Sequence, residues 1–541
     1  MMQLTNSFRL LLLTSLALIA QSQVIPSGYA PLKATCPSSP LVRAASGLSS
    51  SESAYVAARK TQASTALASW LKKTNSNLPT SNLPTIVLTT SGGGLRSLLT
   101  GAGVIQGFDS RDSTVGTSGV FQGLTYQSGL SGGAWLLSSF AGNNYPTISS
   151  LKTGLWEQAF QDSLLDPSNL LVAAAYVAIT NDIKAKNAAG FPPTLVDPYG
   201  RLLSYQLLLG ADGGVTDRLS GISSLSNFTA HNVPYPIITS LGVEVTEGQC
   251  IPPANGTQYE LHPYEFGSWD AGVSAFTQTA YLGTNLTNGA PITTGSCIMN
   301  YDNLGYVLGT SSDLFDEACV PVPATNDTSN IADVLALAVA NIHTLSVRDE
   351  YAVYPNPFYQ RPASSLVASQ PLLYLVDGGE TNQNDPIWPF IQPSRPTDVL
   401  IVNDNSADTP TNFPNGTELY DTYQRAQAVG LTRMPVIPPV ATFISEGLST
   451  RPTFFGCGNN NTLTIVYLPN INYTFPSGES TFKLQYTKAE TDGMIANGVQ
   501  VASKNGDPGW PTCLGCAFVM KTGGTLPAVC TTCFNTYCFK Q

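Results

Sequence analysis

The sequence predicts an α/β protein in which helices cover a largely parallel central sheet. Short apolar runs that end at glycine-rich turns alternate with helical stretches, and this order is typical of layered α/β domains. The candidate functional residues directly follow such runs, where ligands gather in sheets of this type. Ten cysteines among 541 residues indicate that disulfides also hold the fold together.

The same order of strand, glycine turn and helix occurs twice in the amino-terminal part of the domain. A helix over residues 51–73, with Ser51 as its N-cap, precedes a β-branched apolar strand over residues 85–90. A glycine turn and a helix over residues 95–104 follow that strand. Residues 124–140 show the same order of strand, glycine turn and helix. Strands connected in this way are expected to lie parallel in one sheet.

Two later apolar runs predict further strands. Residues 372–376 end at an Asp-Gly-Gly turn, and residues 398–402 form a run of similar length. Because the candidate functional motifs extend from residue 91 to residue 377, we expect no domain boundary inside that span. We therefore predict one large domain over residues 36–541, with residues 457–541 as its cysteine-rich extension.

The amino terminus has the features of a signal peptide. Arg9 precedes an apolar run over residues 10–20 that is too short to span a membrane, and polar residues follow it. We assign residues 1–22 to this signal and expect a secreted protein, in the medium or at the cell wall. No hydrophobic tail follows residue 535, which argues against a GPI anchor. Seven sequons fit a glycosylated surface, at Asn227, Asn255, Asn285, Asn326, Asn415, Asn460 and Asn472.

The cysteines favour disulfides over a metal site. Cys513-x2-Cys516 and Cys530-x2-Cys533 also have the spacing of a zinc ribbon. In a secreted chain with an even number of cysteines, disulfide bonds are the better interpretation. Their connectivity does not follow from the spacing.

Charge and hydropathy argue against a nucleic-acid partner and against a membrane-spanning segment. The net charge is −11 and no basic cluster occurs, so we expect no nucleic-acid partner. After the signal, the best apolar stretch covers residues 331–342 and is interrupted by Asp333. It is typical of a packed helix, and we predict no transmembrane segment.

Two motifs together predict a serine hydrolase. Gly129-x-Ser131-x-Gly133 matches a nucleophile elbow, a sharp turn between strand and helix that exposes a serine hydroxyl. A hydroxyl of this kind needs a base. Asp377 follows the strand over residues 372–376 and precedes two glycines, so its carboxylate can reach a neighbouring turn. Partial burial would raise its pKa above the usual value of about 3.9 and make it a stronger base.

Histidine offers the alternative base. In hydrolases with a Ser–Asp–His order the histidine comes last, yet none of the three histidines follows Asp377. A pairing of Ser131 with His343 would need another acid, such as Asp302 or Asp313. A secreted esterase or lipase of that type is the second hypothesis. A non-catalytic cell-wall glycoprotein, suggested by the richness in Ser, Thr and Asn, is the third.

A glycine turn supplies the remaining chemistry. Gly92, Gly93 and Gly94 lead into a helix, so their amides can point to where negative charge develops on a tetrahedral intermediate. A phosphate loop would need a following Lys-Ser/Thr or a Gly-x-Gly-x-x-Gly pattern, and neither occurs here. Arg96 lies two residues further on and can bind a phosphate through two hydrogen bonds, or form a structural ion pair.

These motifs resemble those of the fungal secreted lysophospholipase (phospholipase B) family, whose catalytic domain is similar to that of cytosolic phospholipase A enzymes. Further blocks carry the resemblance, which extends from about Cys36 to the carboxyl terminus. They include the segments that begin Tyr264-Glu265-Phe266-Gly267 and Leu308-Gly309-Thr310, and the one from Asp377-Gly378-Gly379-Glu380 to Pro389.

The resemblance implies a lysophospholipase that uses a Ser–Asp dyad and no metal or other cofactor. It implies Ser131 as nucleophile, Asp377 as base, Gly93 and Gly94 as oxyanion hole, and Arg96 as the phosphate contact. Lysophospholipids, and also diacyl phospholipids in membranes or micelles, are the implied substrates. One departure is the Ser-Leu-Leu that follows Arg96, where the family usually has Ala-Met. With a carboxylate base, we expect activity to persist below neutral pH.

Overall fold

The computed structural model describes residues 28–161, 170–243, 252–253, 255–316 and 350–540. The predicted signal peptide, the helix expected around residues 331–342 and His343 lie outside these residues, as do Cys250, Cys319 and Asn326.

Twelve of the sixteen described strands form one sheet, and the other four form two small antiparallel two-stranded sheets. The strands are β1 (Leu32–Thr35), β2 (Val42–Ala44), β3 (Ile86–Thr90), β4 (Leu124–Gly129), β5 (Tyr235–Val243), β6 (Thr257–Leu261), β7 (Glu265–Ser268), β8 (Ala275–Gln278), β9 (Leu286–Thr287), β10 (Ala290–Pro291), β11 (Ser296–Met299), β12 (Ala352–Pro355), β13 (Leu372–Val376), β14 (Val399–Asp404), β15 (Thr453–Phe455) and β16 (Thr464–Pro469).

The centre of the large sheet is parallel. Its strand order is β16-β14-β3-β4-β5, and each neighbouring pair runs in the same direction. Every residue of β3, β4, β14 and β16 is buried, which explains why these strands read as continuous apolar runs. Antiparallel strands extend both edges, β15 beyond β16 and β6, β7, β8 and β2 beyond β5. The predicted α/β class is confirmed.

Ten described helices have eight residues or more. They are α1 (Ser50–Thr74), α2 (Gly94–Phe108), α3 (Gly132–Gly142), α4 (Leu170–Ala188), α5 (Val196–Leu207), α6 (Leu304–Ser311), α7 (Thr417–Ala428), α8 (Lys488–Ser503), α9 (Trp510–Val519) and α10 (Ala528–Tyr537). Shorter helical segments cover Ile148–Leu151, Glu157–Ala159, Ala211–Gly214, Ser226–Thr229 and Val440–Ser445.

The connections place the helices on both faces of the parallel centre. From β3 through β4 to β5 the chain advances across the sheet in one direction. From β14 to β16 it advances in the opposite direction. Because such crossovers are right-handed, α2 and α3 lie on one face and α7 on the opposite face. The direction changes between β3 and β14, and open α/β sheets bind ligands at this kind of point.

The N-cap prediction for the first helix was wrong by two residues. The helix covers Ser50–Thr74, and its N-cap is Ser49, whose side chain accepts a hydrogen bond from the Glu52 amide. Ser51 therefore lies in the first turn. The helices predicted over residues 95–104 and 134–140 are observed with slightly wider bounds, as α2 and α3.

The cysteine-rich extension is integrated into the rest of the fold. Its strand β16 lies in the parallel centre, and its helix α8 packs closely against α2. A β-carbon on Gly103 would lie 2.1 Å from the Ile495 carbonyl oxygen, and one on Gly498 would lie 2.1 Å from the Thr100 carbonyl oxygen. Small residues at this crossing thus allow the two backbones to touch.

Four disulfides are described, which confirms that cysteines hold the fold together. They join Cys36 to Cys297, Cys457 to Cys538, Cys513 to Cys533 and Cys516 to Cys530. The four cysteines with zinc-ribbon spacing therefore form two nested disulfides between α9 and α10.

Most of the described sequons are exposed. The side chains of Asn255, Asn285, Asn460 and Asn472 face solvent, whereas Asn227 and Asn415 are half-buried. No described helix is both long and apolar enough to cross a bilayer.

Candidate active site

Ser131 lies on a strained turn between β4 and α3. Its backbone has φ 52° and ψ −122°, a conformation that serine rarely adopts. Glycines permit this turn, because a β-carbon on Gly129 would lie 2.2 Å from the Gly133 carbonyl oxygen. The Ser131 amide donates to the Ser311 carbonyl oxygen at 3.0 Å. The predicted sharp turn between strand and helix is therefore observed at Ser131.

Strand β13 brings Asp377 toward this turn. Strands β4 and β13 both lie on the edge of β5 that faces away from β6. β4 runs parallel to β5 and pairs with it as far as Ile238, where it ends at Gly129. β13 runs antiparallel and ends with Val376 opposite Leu241. The two strands thus end facing each other, so the residues that follow them meet.

The sequence did not indicate that β13 is antiparallel. An isolated apolar strand reads the same in either direction, and of the two strands that pair with β13, the one that sets its place in the central sheet, β5, lies more than 130 residues earlier in the chain. The consequence for the site is favourable. If β13 ran parallel to β5 at this position beyond the end of β4, its carboxyl end would point away from Ser131.

Asp377 is held in place by its own turn. Its Oδ1 accepts a hydrogen bond of 2.8 Å from the Gly379 amide, which caps a short 3₁₀ turn over Gly378–Thr381. Its amide donates to the Asp313 carbonyl oxygen at 2.9 Å. The side chain is almost completely buried, with 3% of its surface exposed.

One segment, residues 311–313, connects the serine turn to the aspartate turn. Ser311 accepts from the Ser131 amide, and Asp313 accepts from the Asp377 amide. The Ser311 hydroxyl also donates to Thr239 on β5, between the ends of β4 and β13. Ser312 is fixed by a 2.9 Å hydrogen bond from Trp135 Nε1. In the sequence this block carried the resemblance, and only Asp313 had a possible role, as the acid partner of His343.

The glycine loop after β3 lies against the serine. A β-carbon on Gly92 would be 3.0 Å from Ser131 Cβ, and one on Gly132 would be 2.1 Å from the Gly94 carbonyl oxygen. Gly93 has φ 132° and Gly94 has φ 57°, so both need glycine. Among the described residues, neither amide donates a hydrogen bond to another protein group. Both stand at the start of the 15-residue helix α2, which favours negative charge there.

Arg96 is buried beside this loop. Its Nε donates to the Asn405 carbonyl oxygen at 2.9 Å, and its Nη1 donates to the Glu479 carbonyl oxygen at 2.6 Å. Within the described part of the chain it forms no ion pair, and its Nη2 has no hydrogen-bond partner. Nη2 lies next to Gly93, where a β-carbon would approach it to 2.5 Å. Burial lowers the pKa of the Arg96 guanidinium to about 10, which leaves it charged at neutral pH.

One cavity is lined by four of the five predicted site residues, and the fifth, Gly94, lines a smaller pocket beside it. The volume of the cavity is about 480 Å³, and Gly93, Arg96, Ser131 and Asp377 all line it. The smaller pocket, of about 20 Å³, also includes Ser131 and has a largely apolar lining of Trp135, Tyr199, Leu314 and Phe315. Ser131 therefore borders a polar cavity and an apolar pocket.

The polar cavity also contains carboxyl groups that the sequence analysis missed. Glu380, Asp408 and Glu418 line it. Burial and the neighbouring Asp404 raise the pKa of Asp408 to about 7. Burial and Asp408 raise the pKa of Glu418 well above its usual value. These side chains come from loops and helices after β13 and β14. Glu380 belongs to a block that carries the family resemblance, whereas no motif in the sequence singles out Asp408 or Glu418.

The described histidines do not belong to this cavity. His262 is fully buried, and its Nδ1 shares a 2.7 Å hydrogen bond with the Tyr235 hydroxyl. Burial lowers the pKa of His262, so it is a neutral side chain of the core. His231 is half-buried and lines neither pocket that contains Ser131. His343 lies outside the described residues.

One described group has the composition of a metal site, and it is an ion-pair network. Glu52, His262 and Glu265 place possible ligand atoms within 4.8 Å of one another. Arg395 Nε donates to Glu52 at 3.0 Å, and Arg43 Nε donates to Glu265 at 2.6 Å. The carboxylates of this group are thus neutralised by arginines rather than open to a cation.

The fold places a serine on a strand-to-helix turn beside a polar cavity, an arrangement typical of carboxylic ester hydrolases. A match to the family described as the lysophospholipase catalytic domain covers residues 86–541. Lysophospholipase 2 of Aspergillus fumigatus is 39% identical, over 95% of this chain and 93% of that protein. Lysophospholipase 1 of Saccharomyces cerevisiae is 36% identical, over 95% of this chain and 84% of that protein. The chain belongs to the lysophospholipase family.

A solved structure shares the fold. Human GIVD cytosolic phospholipase A2 superposes with a TM-score of 0.69 at 15% identity, over 91% of this chain and 72% of that chain. The resemblance stated from the motifs, to fungal lysophospholipases and to the catalytic domain of cytosolic phospholipase A enzymes, is confirmed.

Proposed function

We propose that the protein is a secreted lysophospholipase that works through a Ser131–Asp377 dyad and an acyl-serine intermediate. The observation that carries the proposal is that Ser131, Asp377, Gly93 and Arg96 line one cavity. Family membership supports the substrate class, and the turn at Ser131 supports its role as nucleophile.

In the first half-reaction the Ser131 hydroxyl attacks the ester carbonyl carbon while the Asp377 carboxylate takes the hydroxyl proton. The carbonyl oxygen becomes an oxyanion, and the amides of Gly93 and Gly94 donate hydrogen bonds to it. Each donor of this kind contributes roughly 10²–10³ in rate. The intermediate then collapses, the carbon–oxygen bond to glycerol breaks, and Asp377 returns the proton to the departing alkoxide. The fatty acyl group remains on Ser131.

Water completes the reaction by the same route. Asp377 takes a proton from water, the resulting hydroxide attacks the acyl carbon, and the bond to Ser131 Oγ breaks as the serine regains a proton. Fatty acid and free enzyme result. No metal or other cofactor enters these steps, because a buried carboxylate, a serine and two free amides supply the required groups.

The two sides of Ser131 suit the two ends of a phospholipid. Arg96 lines the polar cavity and has an Nη2 without a hydrogen-bond partner among the described residues, so its guanidinium would bind the phosphate there. Trp135, Leu314 and Phe315 line the apolar pocket, which would take the first part of the acyl chain. Lysophospholipids fit this arrangement, and diacyl glycerophospholipids carry the same ester and phosphate.

Secretion and glycosylation belong to the same proposal. The signal-like residues 1–22 and the four exposed sequons support release through an oxidising compartment, where the disulfides would form. The proposed location is the medium or the cell wall.

The function is tested by fatty-acid release from lysophosphatidylcholine by the purified protein and two variants. Ser131→Ala should lower kcat by at least about 10³-fold, because the nucleophile is lost. Arg96→Gln should lower kcat/KM for lysophosphatidylcholine by about 10²-fold, since a buried charge that faces the phosphate disappears.

A neutral short-chain ester provides the control substrate. Ser131→Ala should be inactive on it as well, whereas Arg96→Gln should retain most of its activity. Equal losses of Arg96→Gln on both substrates would assign a structural role to Arg96. Full activity of Ser131→Ala would refute the proposed mechanism.

A further inference from the structure

Asn384 lies at the junction of the three loops that form the site. A β-carbon on Gly92 would be 2.1 Å from Asn384 Oδ1 and 3.0 Å from Ser131 Cβ. A β-carbon on Gly379 would be 3.0 Å from Asn384 Oδ1 and 3.2 Å from Asp377 Oδ1. The side-chain amide of Asn384 is therefore a close neighbour of both members of the proposed dyad.

The backbone of Asn384 fixes this position. Its amide donates to Glu418 Oε2 at 2.9 Å, and its carbonyl oxygen accepts from the Gly92 amide at 3.2 Å. Its side-chain Nδ2 donates to Ser406 Oγ at 2.7 Å. Asn384 lines the 480 Å³ cavity, and among the described residues no hydrogen bond to its Oδ1 is found. The Nδ2 of this side chain is thus anchored, and its Oδ1 is left to accept a hydrogen bond from a ligand.

The order of groups along the glycine loop locates Asn384 relative to a substrate. At Gly92 the neighbours are Ser131 and Asn384, and at Gly93 the neighbour is Arg96 Nη2. A lysophospholipid whose ester carbonyl is at Ser131 and whose phosphate is at Arg96 has only the glycerol carbons between these two groups. The central glycerol carbon, which carries a free hydroxyl, then lies beside Asn384.

An amide suits a hydroxyl for a simple reason. A hydroxyl both donates and accepts hydrogen bonds, so it can pair with either the oxygen or the nitrogen of an asparagine side chain. An esterified position has no proton to donate and adds the bulk of a second acyl chain. A site with a polar group placed for a substrate hydroxyl rejects the analogue that lacks it.

We propose that Asn384 is a specificity residue that binds the free glycerol hydroxyl of lysophospholipids and thereby selects monoacyl substrates. The proposal rests on the proposed lysophospholipase function. It concerns which ester-bearing lipid is preferred, and not the chemistry at Ser131.

The test compares two substrates that differ in this hydroxyl alone. They are 1-palmitoyl-glycero-3-phosphocholine and its analogue built on propanediol, which lacks the central hydroxyl. The unmodified enzyme should prefer the first by about tenfold in kcat/KM, the value of one good hydrogen bond. Asn384→Ala should lose about tenfold on the lysophospholipid and less than about twofold on the analogue, so its preference disappears.

Gln424→Ala is a matched control, because it also removes a side-chain amide, but one that is exposed on α7 and does not line the cavity. It should keep the preference of the unmodified enzyme. Equal losses of Asn384→Ala on both substrates would overturn the proposal and assign Asn384 to loop stability. So would the absence of any preference in the unmodified enzyme, a result that does not depend on the variant folding. Failure of the unmodified enzyme to cleave either substrate would instead refute the proposed function itself.

Discussion

Arg96 and Asp408 bring opposite charges into the cavity where a phosphate is proposed to bind. Arg96 has no ion-pair partner among the described residues, and Asp408 Oδ2 accepts a hydrogen bond of 2.9 Å from the Asn415 amide. Asp404 and Glu418 are the neighbouring carboxyls, whereas the Thr417 amide and Arg96 lower the pKa of Asp408. As an anion, Asp408 would repel a phosphate held at Arg96.

This arrangement predicts a pH dependence of substrate binding. Burial and Asp404 raise the pKa of Asp408 to about 7, so the group is mostly charged at pH 8 and mostly neutral at pH 6. Removing a negative charge near the phosphate should increase kcat/KM for lysophosphatidylcholine by about tenfold as the pH falls from 8 to 6. Asp408→Asn should show the higher value at both pH values, with no such increase between them.

A neutral monoacylglycerol separates this effect from the chemical step. Its kcat/KM should not rise between pH 8 and pH 6, because it carries no phosphate. A rise of the same size with the neutral substrate, or an unchanged profile in Asp408→Asn, would show that another group titrates.

Single residues differ in how far the sequence could identify them. Ser131 and Arg96 stand next to glycines in recognisable order, and the structure places both on the cavity. Asp408 and Asn384 reach the same cavity through contacts with residues about 290 to 310 positions away, at Gly92 and Arg96. No local pattern reports contacts of that range, so neither residue could be found without the fold.

Among the elements, the glycine loop after β3 and the turn after β4 must touch for the site to form. Gly132 opens α3, and the place of its missing β-carbon is taken by the Gly94 backbone. This contact fixes the distance between the nucleophile turn and the amides proposed as oxyanion hole.

Gly132→Ala should therefore damage catalysis selectively. The added methyl group would lie 2.1 Å from the Gly94 carbonyl oxygen and must push the two loops apart. We expect kcat for lysophosphatidylcholine to fall by about 10²-fold or more, the loss typical of a displaced oxyanion donor.

Gly154→Ala is the control for this substitution. Nothing lies within 4 Å of a β-carbon at Gly154, so the same change there should leave kcat unaltered. A Gly132→Ala enzyme with unreduced kcat would show that the contact between the loops is not needed for catalysis.

The elements themselves were largely predictable where apolar runs end at glycine or proline. The strands after residue 85 and after residue 123 and the helices that follow them were found from these patterns. The direction and the pairing of the strands were not predictable. For β13, both depend on which edge of β5 is free of other strands. The N-cap at Ser49 was missed because three consecutive serines offer equivalent caps from sequence alone.

For the molecule as a whole, a twelve-stranded sheet places the site at a change in chain direction. The loops after β3, β4 and β14 meet at the carboxyl ends of the parallel strands, and the antiparallel β13 adds Asp377 from beyond the end of β4. The overall α/β class followed from the sequence. The antiparallel extension from β5 to β2 did not, because short strands in loops rich in polar residues give weak signals.

The whole fold also explains why a carboxylate can replace histidine as the proposed base. Because β4 and β13 end head to head on β5, Ser131 and Asp377 line the same cavity. The described histidines lie elsewhere, one in the core and one away from both pockets. Ser131 paired with Asp377 is thus the central claim.

The most direct test is the rate at which a long-chain fluorophosphonate labels the protein, with the adduct located by peptide mass spectrometry. The unmodified protein should gain one adduct, on the peptide that contains Ser131. Asp377→Asn should slow this labelling by at least about 10²-fold while its melting temperature stays close to that of the unmodified protein, because the serine loses its base. An adduct on a different residue, or labelling of Asp377→Asn at the unmodified rate, would contradict the Ser131–Asp377 dyad.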